Sequence, residues 1–222
     1  MAFHNNARIV NNGLVFLVDA ANPNSYPGSG TVLTDIIGSR VCTLNSAVIG
    51  TTTPGIFTFN GSTDHILLPN DIGYNTDVSV IAFYKKTSNS TTGGYHIVCG
   101  GSPLEISIQQ TSEWLRTGVS TDARFVSNAG IGLNNFNWHS VGLTYLSASR
   151  TKTGFIDGVG QTQYNVPTGA LDASFADRRL GQFGAASYYL TGAIALYAVY
   201  DRALNATEMM QNHDALKSRF GL

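Results

Sequence analysis

The sequence predicts an all-β fold: a two-sheet antiparallel sandwich with one short helix at its C-terminus. Three observations predict it. Apolar and polar residues alternate with a period of two over about a dozen short runs. Gly, Asn, Asp and Pro separate those runs, and glycine, at 24 of 222 residues, follows no collagen-like period. Charged residues make up 12% of the chain, about half the usual share, while 43% is hydrophobic. Such a chain can bury a full core but must cover its surface with Ser, Thr, Asn and Gln.

Along the chain, Leu14, Phe16 and Val18 alternate with polar or smaller neighbours and read as a first strand. The segment from Asn22 to Thr31 is rich in Pro, Gly, Asn and Ser and reads as an irregular loop. Further strands are expected at 56–59, 65–68, 78–85, 95–99, Leu104–Gln109, 113–117, 124–127, 138–146, 154–157, 179–183 and 188–200. In Leu104–Gln109 the alternation is clear, with Leu104, Ile106 and Ile108 opposing Glu105, Ser107 and Gln109.

Two runs are apolar on both faces. In 192–200, Ile194, Leu196, Ala198 and Tyr200 oppose Ala193, Ala195, Tyr197 and Val199. In 78–84, Ile81 and Phe83 oppose Val80, Ala82 and Tyr84. Such strands sit centrally, with the second face covered by a helix, a loop or a partner. The helix is expected after Asn205, an N-cap with Glu208 as its capping-box partner. Met209, Leu216 and Phe220 recur at helical spacing, and Lys217 and Arg219 suit the C-terminal end of the dipole. No repeat or linker appears. The expected organisation is an N-terminal arm over 1–12 and one sandwich domain over 13–222.

Composition excludes several classes of function. A formal net charge of −1 without a basic stripe argues against nucleic acid as a partner, and no apolar stretch is long enough to cross a bilayer. The start, Met1-Ala-Phe-His-Asn-Asn, lacks the regions of a secretory signal, so synthesis in a cytoplasm is expected. Cys42 and Cys99 form no metal or disulfide pattern and are expected to be buried free thiols.

Catalytic chemistry is not expected. A glycosidase needs two carboxylates on one surface, and the three glutamates, Glu105, Glu113 and Glu208, have no acidic neighbour two or four positions away. The histidines, His4, His65, His96, His139 and His213, are scattered singly, and no nucleophile elbow is present. Asp64, Asp71 and Asp77 are the candidates for calcium, but no local loop clusters the oxygen ligands that ion requires. No catalytic residue, metal ligand or cofactor is therefore expected, and no set of ligand-binding residues is assigned.

Several segments resemble a known family. Gly13-Leu-Val-Phe-Leu-Val-Asp19, Asn24-Ser-Tyr-Pro-Gly-Ser-Gly30 and Asp35-Ile-Ile-Gly38 resemble the first strand and adjoining loop of laminin G-like domains in bacteriophage structural proteins. Phe57-Thr-Phe-Asn-Gly-Ser-Thr-Asp-His-Ile66, Asn137-Trp-His-Ser-Val141 and Gly154-Phe-Ile-Asp-Gly158 are similar to three later strands of that family. The fullest match is Gly192-Ala-Ile-Ala-Leu-Tyr-Ala-Val-Tyr-Asp-Arg-Ala-Leu-Asn-Ala-Thr-Glu208, a final strand running into a terminal helix. The resemblance to this laminin G-like, concanavalin A-like lectin family spans roughly residues 9 to 222. It implies a jelly-roll sandwich and a non-enzymatic role, often carbohydrate-binding or virion-associated.

Residue by residue, the motifs also have fold roles. Asp64 and Asp157 sit at tight turns, where Asp bonds the local backbone. Trp138 is expected to pack between the sheets, and Arg202 to tie the last strand to the helix.

The leading expectation is a bacteriophage virion protein, a capsid decoration or tail-associated component. Its partners would be other virion proteins and further copies of itself, with the apolar second faces as docking surfaces. The alternative is a lectin or adhesin module recognising host-surface glycans. Trp114, Tyr95, Tyr188 and Tyr189 are the aromatics available to stack on sugar rings.

Overall fold

Alternation over short runs becomes sixteen strands in the computed structural model, which describes residues 8–45, 48–50, 55–73, 76–89, 92–101, 103–111, 113–119, 122–125, 132–133, 135–166, 171, 177–183 and 188–222. In chain order they are β1 (Leu14–Asp19), β2 (Val32–Thr34), β3 (Val41–Asn45), β4 (Val48–Gly50), β5 (Ile56–Asn60), β6 (His65–Leu67), β7 (Val78–Lys86) and β8 (Tyr95–Gly100). Then come β9 (Leu104–Gln109), β10 (Leu115–Val119), β11 (Asp122–Phe125), β12 (His139–Leu146), β13 (Thr151–Ile156), β14 (Val159–Asn165), β15 (Arg179–Leu180) and β16 (Thr191–Tyr200). Helix α1 (Ala206–Leu216) and a 3-10 turn (Lys217–Phe220) close the chain.

The strands form two antiparallel sheets of eight. The first runs β14-β13-β12-β7-β16-β5-β4, with β1 also paired to β16; the second runs β11-β10-β9-β8-β15-β6-β3-β2. Both faces that meet are apolar. Val78, Val80, Ala82, Tyr84, Val141, Leu143 and Tyr145 from the first sheet pack on Ile66, Val98, Ile106, Ile108, Leu115 and Leu180 from the second. This is the expected sandwich, with the expected helix at its end. Four strands go beyond the expectation: β2, β3, β4 and β14.

The first sheet buries its outer face as well. Leu17, Ile81, Phe83, Phe155, Leu196, Ala198, Tyr200, Leu204 and Met209 form a second core. Phe220 stacks on Phe83 at 5.0 Å and lies tilted against Trp138 at 4.8 Å. Gly142 makes this docking possible, because a Cβ there would lie 2.4 Å from Met209 Cε and 2.8 Å from the Val80 carbonyl.

Polar side chains lock the cover in place. Asn205 caps α1 and Glu208 completes the capping box. Arg202 grips Glu208 with two bonds of 2.9 and 2.6 Å and donates to the Asn12 carbonyl, the tie expected of it. Arg219 holds Asp19 through two bonds. The Ser79 hydroxyl donates to Arg202 O and accepts from Leu204 N.

Three expectations need correction. The apolar second face of 78–84 and 192–200 is covered by the chain's own helix, so it offers no docking surface to a partner. Trp138 is half-buried on that outer core beside Phe220, not between the sheets. The strict alternation in 192–200 also fails. A bulge between Ile194 and Leu196 leaves Ala195 unmatched, so Ile194 faces the inner core while Leu196 faces outward. A similar shift between Leu14 and Phe16 turns Leu14 to the outer core.

The described end of the arm is not free. Val10 N donates to Asn212 Oδ1 at 2.8 Å, and Gln211 donates to the Arg8 carbonyl. Residues 1–7, including His4, lie outside the described residues. Cys42 and Cys99 are buried free thiols, and burial pushes both up to about 12.

Candidate functional site

On the second sheet alternation sends Ile66, Ile106, Ile108, Leu115 and Leu180 inward and their neighbours outward. The register then aligns Ile97 (β8), Ser107 (β9) and Arg116 (β10) in one row across three strands. Tyr95 stands two positions from Ile97 on the same side. The hairpin after β15, bridged at Gln182 and Tyr189, brings Phe183 and Tyr188 over this row.

The result is a cleft of about 250 Å³ lined by Tyr95, Ile97, Arg116, Phe183 and Tyr188. Tyr188 meets Tyr95 edge-on, with centroids 6.1 Å apart and planes at 83°, and meets Phe183 in the same manner at 6.4 Å. The Arg116 guanidinium lies over the Tyr95 ring, 5.5 Å from its centroid. Aromatic rings gathered on one surface offer apolar contact to one side of a sugar ring. Gly93 matters to this arrangement. It has φ of 84°, and a Cβ on it would meet Tyr188 Cδ1 at 1.9 Å.

Beneath the aromatics lies a buried acid. Glu105 is 4% exposed, receives the Ser107 hydroxyl at 2.6 Å and is ion-paired with Arg116. Burial pushes its carboxyl above the usual range, and Arg116 only partly offsets this. Its partners are a guanidinium and a hydroxyl, not a second carboxylate. That arrangement suits a positioned hydrogen-bonding group better than an acid–base pair. Farther along, Arg179 bonds Asp177 at 2.7 Å and Gln182 at 2.5 Å, and Gln182 donates to the Tyr189 hydroxyl at 2.9 Å.

The structure thus unites Tyr95 with Tyr188 and leaves two expected aromatics aside. Trp114, half-buried just before β10, and Tyr189 do not line the cleft. Nothing in the sequence singles out Arg116, Glu105, Phe183 or Gly93 for such a site. A larger groove of about 560 Å³ lies between Val159 and the α1 residues Thr207, Met210 and Gln211. No aromatic side chain lines it among the described residues, so it is the weaker candidate.

The other motif residues serve the fold. Asp64 accepts Asn60 N at 2.9 Å. Asp157 accepts Ser140 N at 2.9 Å and pairs with His139 at 2.8 Å, so its partners lie across the strand pair. Asp35 collects Leu17 N, Ile37 N, Gly38 N and Arg40. The calcium candidates are apart in their engagements. Asp77 takes the amide and hydroxyl of Ser147, while Asp71 stands exposed near Arg40. Among the described residues no three His, Cys, Asp or Glu side chains gather as a metal site. No helix among them is long and apolar enough to cross a membrane.

Comparison with known proteins places this geometry. The profile of the family described as the concanavalin A-like lectin/glucanases superfamily, Laminin_G_3, matches residues 60–210. No curated protein matches the sequence. Among solved structures, a Trypanosoma rangeli sialidase in complex with sialic acid aligns over 96% of this chain and 34% of its own, at 16% identity and a TM-score of 0.70. The binding domain of botulinum neurotoxin DC, in complex with rat synaptotagmin II, aligns over 93% of this chain and 52% of its own, at 13% identity and a TM-score of 0.70. The chain therefore spans about a third of the sialidase and half of the toxin fragment. At such identities the likeness is one of fold.

Proposed function

The chain belongs to the concanavalin A-like lectin/glucanases superfamily, and from that premise we propose that it is a non-catalytic module that binds a glycan on the outer face of its second sheet. One observation carries the reading: Tyr95, Tyr188 and Phe183 converge over the Arg116–Glu105 pair in a single cleft. Aromatic faces for a sugar ring and fixed polar groups for its hydroxyls are the two elements such recognition needs. Catalysis is not part of the reading, because Glu105 is already engaged by Arg116 and Ser107 while glycoside hydrolysis takes two carboxylates flanking the bond.

The likeness of the Gly192 to Glu208 segment to bacteriophage structural proteins supports a finer reading. In it the module is carried on a virion as a decoration or tail-associated protein, assembled there with other virion proteins and copies of itself. Binding to a glycan array tests the first reading. It should be saturable and be lost in Tyr188→Ala; an array without signal overturns it. Immunogold labelling of purified particles tests the second. Label on heads or tails supports it, and particles that mass spectrometry shows to lack the chain refute it.

A further inference from the structure

We propose that the cleft takes a neutral sugar ring and discriminates against acidic sugars, because its guanidinium is already neutralised from beneath. This inference rests on the lectin reading and names the ligand class for the same site.

Arg116 is the one charged side chain among the described residues that line the cleft. In isolation it would mark a site for a carboxylate or sulfate, since guanidinium recognises such groups with paired bonds. Here Glu105 occupies that role. Its carboxylate is 4% exposed, bonded to Arg116 and fixed by Ser107. An incoming anion would share one guanidinium with a carboxylate that cannot retreat into water. Burial already raises the Glu105 carboxyl, so a second negative charge beside it adds to an existing cost. Arg179, farther along the same sheet, is likewise held, by Asp177 and Gln182. Both guanidinium groups are therefore already paired with a carboxylate, an arrangement suited to hydroxyls that both donate and accept.

Size points the same way. At about 250 Å³ the cleft is smaller than the roughly 300–1,000 Å³ of pockets that enclose drug-sized ligands. A cleft of that size suits a single terminal ring.

The test uses the whole chain and one complex N-glycan in matched sialylated and desialylated forms, compared by isothermal titration calorimetry. The desialylated form should bind at least about tenfold more tightly, as like-charge juxtaposition penalises the acidic one. In Glu105→Gln the uncompensated Arg116 should shift that ratio about fivefold or more toward the sialylated form. Equal or tighter binding of the sialylated glycan by the natural sequence overturns the inference and leaves the lectin reading standing. An unchanged ratio in a folded Glu105→Gln variant overturns the assigned role of Glu105. Absence of binding to either form, together with a silent glycan array, removes the lectin reading and this inference with it. The natural-sequence comparison needs no variant, so a Glu105→Gln chain that fails to fold leaves the test intact.

Discussion

Phe83 and Tyr188 are both large aromatics outside the inner core, yet Phe83 is fully buried and Tyr188 is 39% exposed. The difference is one of cover. The first sheet presents Ile81, Phe83, Leu196 and Tyr200 outward, and α1 with its terminal turn closes over them. The second sheet presents Arg116, Glu105, Ser107 and Tyr95, which satisfy one another and leave a cleft. One outer face is closed by the chain's own helix, and the other stays open and carries the proposed glycan site. An apolar face that reads as an interface in sequence is thus an internal one whenever the chain carries its own amphipathic cover.

The largest expected effect falls on the covered face. Phe83→Ala should destabilise by about 3–5 kcal/mol, the usual range for a buried Phe, measured by urea denaturation. The fraction that stays folded should bind glycan as the natural sequence does. A loss under about 1 kcal/mol would mean that the helix does not cover this face in solution.

Next comes pH. His96 is fully buried in the sandwich, and neither ring nitrogen has a hydrogen-bond partner among the described residues. Burial, with the Lys86 charge adding to it, pushes the ring down to about 4. The unfolded ring titrates near 6.5, so between these values the unfolded chain holds the extra proton. Stability is full above about pH 6.5, falls as pH drops toward 4, and loses on the order of 3 kcal/mol in all. Glu105, raised by burial, acts in the opposite sense above the usual carboxylate range. The His96→Phe variant isolates the effect: its pH–stability profile should be flatter between 4 and 6.5, and an unchanged slope would refute the assignment.

A smaller effect is expected at the hinge between strand and helix. Arg202→Ala loses the Glu208 pair and the Asn12 contact and should cost about 1 kcal/mol, as partly exposed pairs do. Thermal unfolding checks it. The smallest change in stability belongs to the open face. Tyr188→Ala should stay within about 0.5 kcal/mol while abolishing glycan binding. Gly93→Ala should weaken binding without removing the ring, because its Cβ displaces Tyr188.

These contrasts also mark how much of the fold is legible in the sequence. Alternation in Leu104–Gln109, the capping box at Asn205 and Glu208, and the two-sided apolarity of 78–84 all translate into the structure, because each is a local pattern. The strands β2 and β4 escape because each is three residues set in sequence rich in Gly, Ser and Thr that reads as loop, and β14 because VGQTQYN at a sheet edge has no buried face to pattern. β3 does alternate, with Cys42 and Leu44 inward, and is legible in principle. Bulges at Ala195 and near Val15 leave no mark in the sequence, yet each reverses the facing of the residues beyond it.

The site is legible only in its aromatics. Tyr95 and Tyr188 announce themselves as rings near strand ends. Arg116, Glu105 and Phe183 join them only through pairings across β8, β9 and β10 and the hairpin after β15, which no spacing in the chain encodes. Gly93 becomes meaningful once Tyr188 is seen against it.

NMR chemical-shift mapping separates ligand binding at the open face from binding at the covered one. Titration of the isotope-labelled chain with the desialylated N-glycan should perturb Tyr95, Ile97, Arg116, Phe183 and Tyr188 and leave α1 unmoved. Perturbations centred on Thr207, Met210 and Gln211, or spread over the first sheet, would contradict binding at the open face.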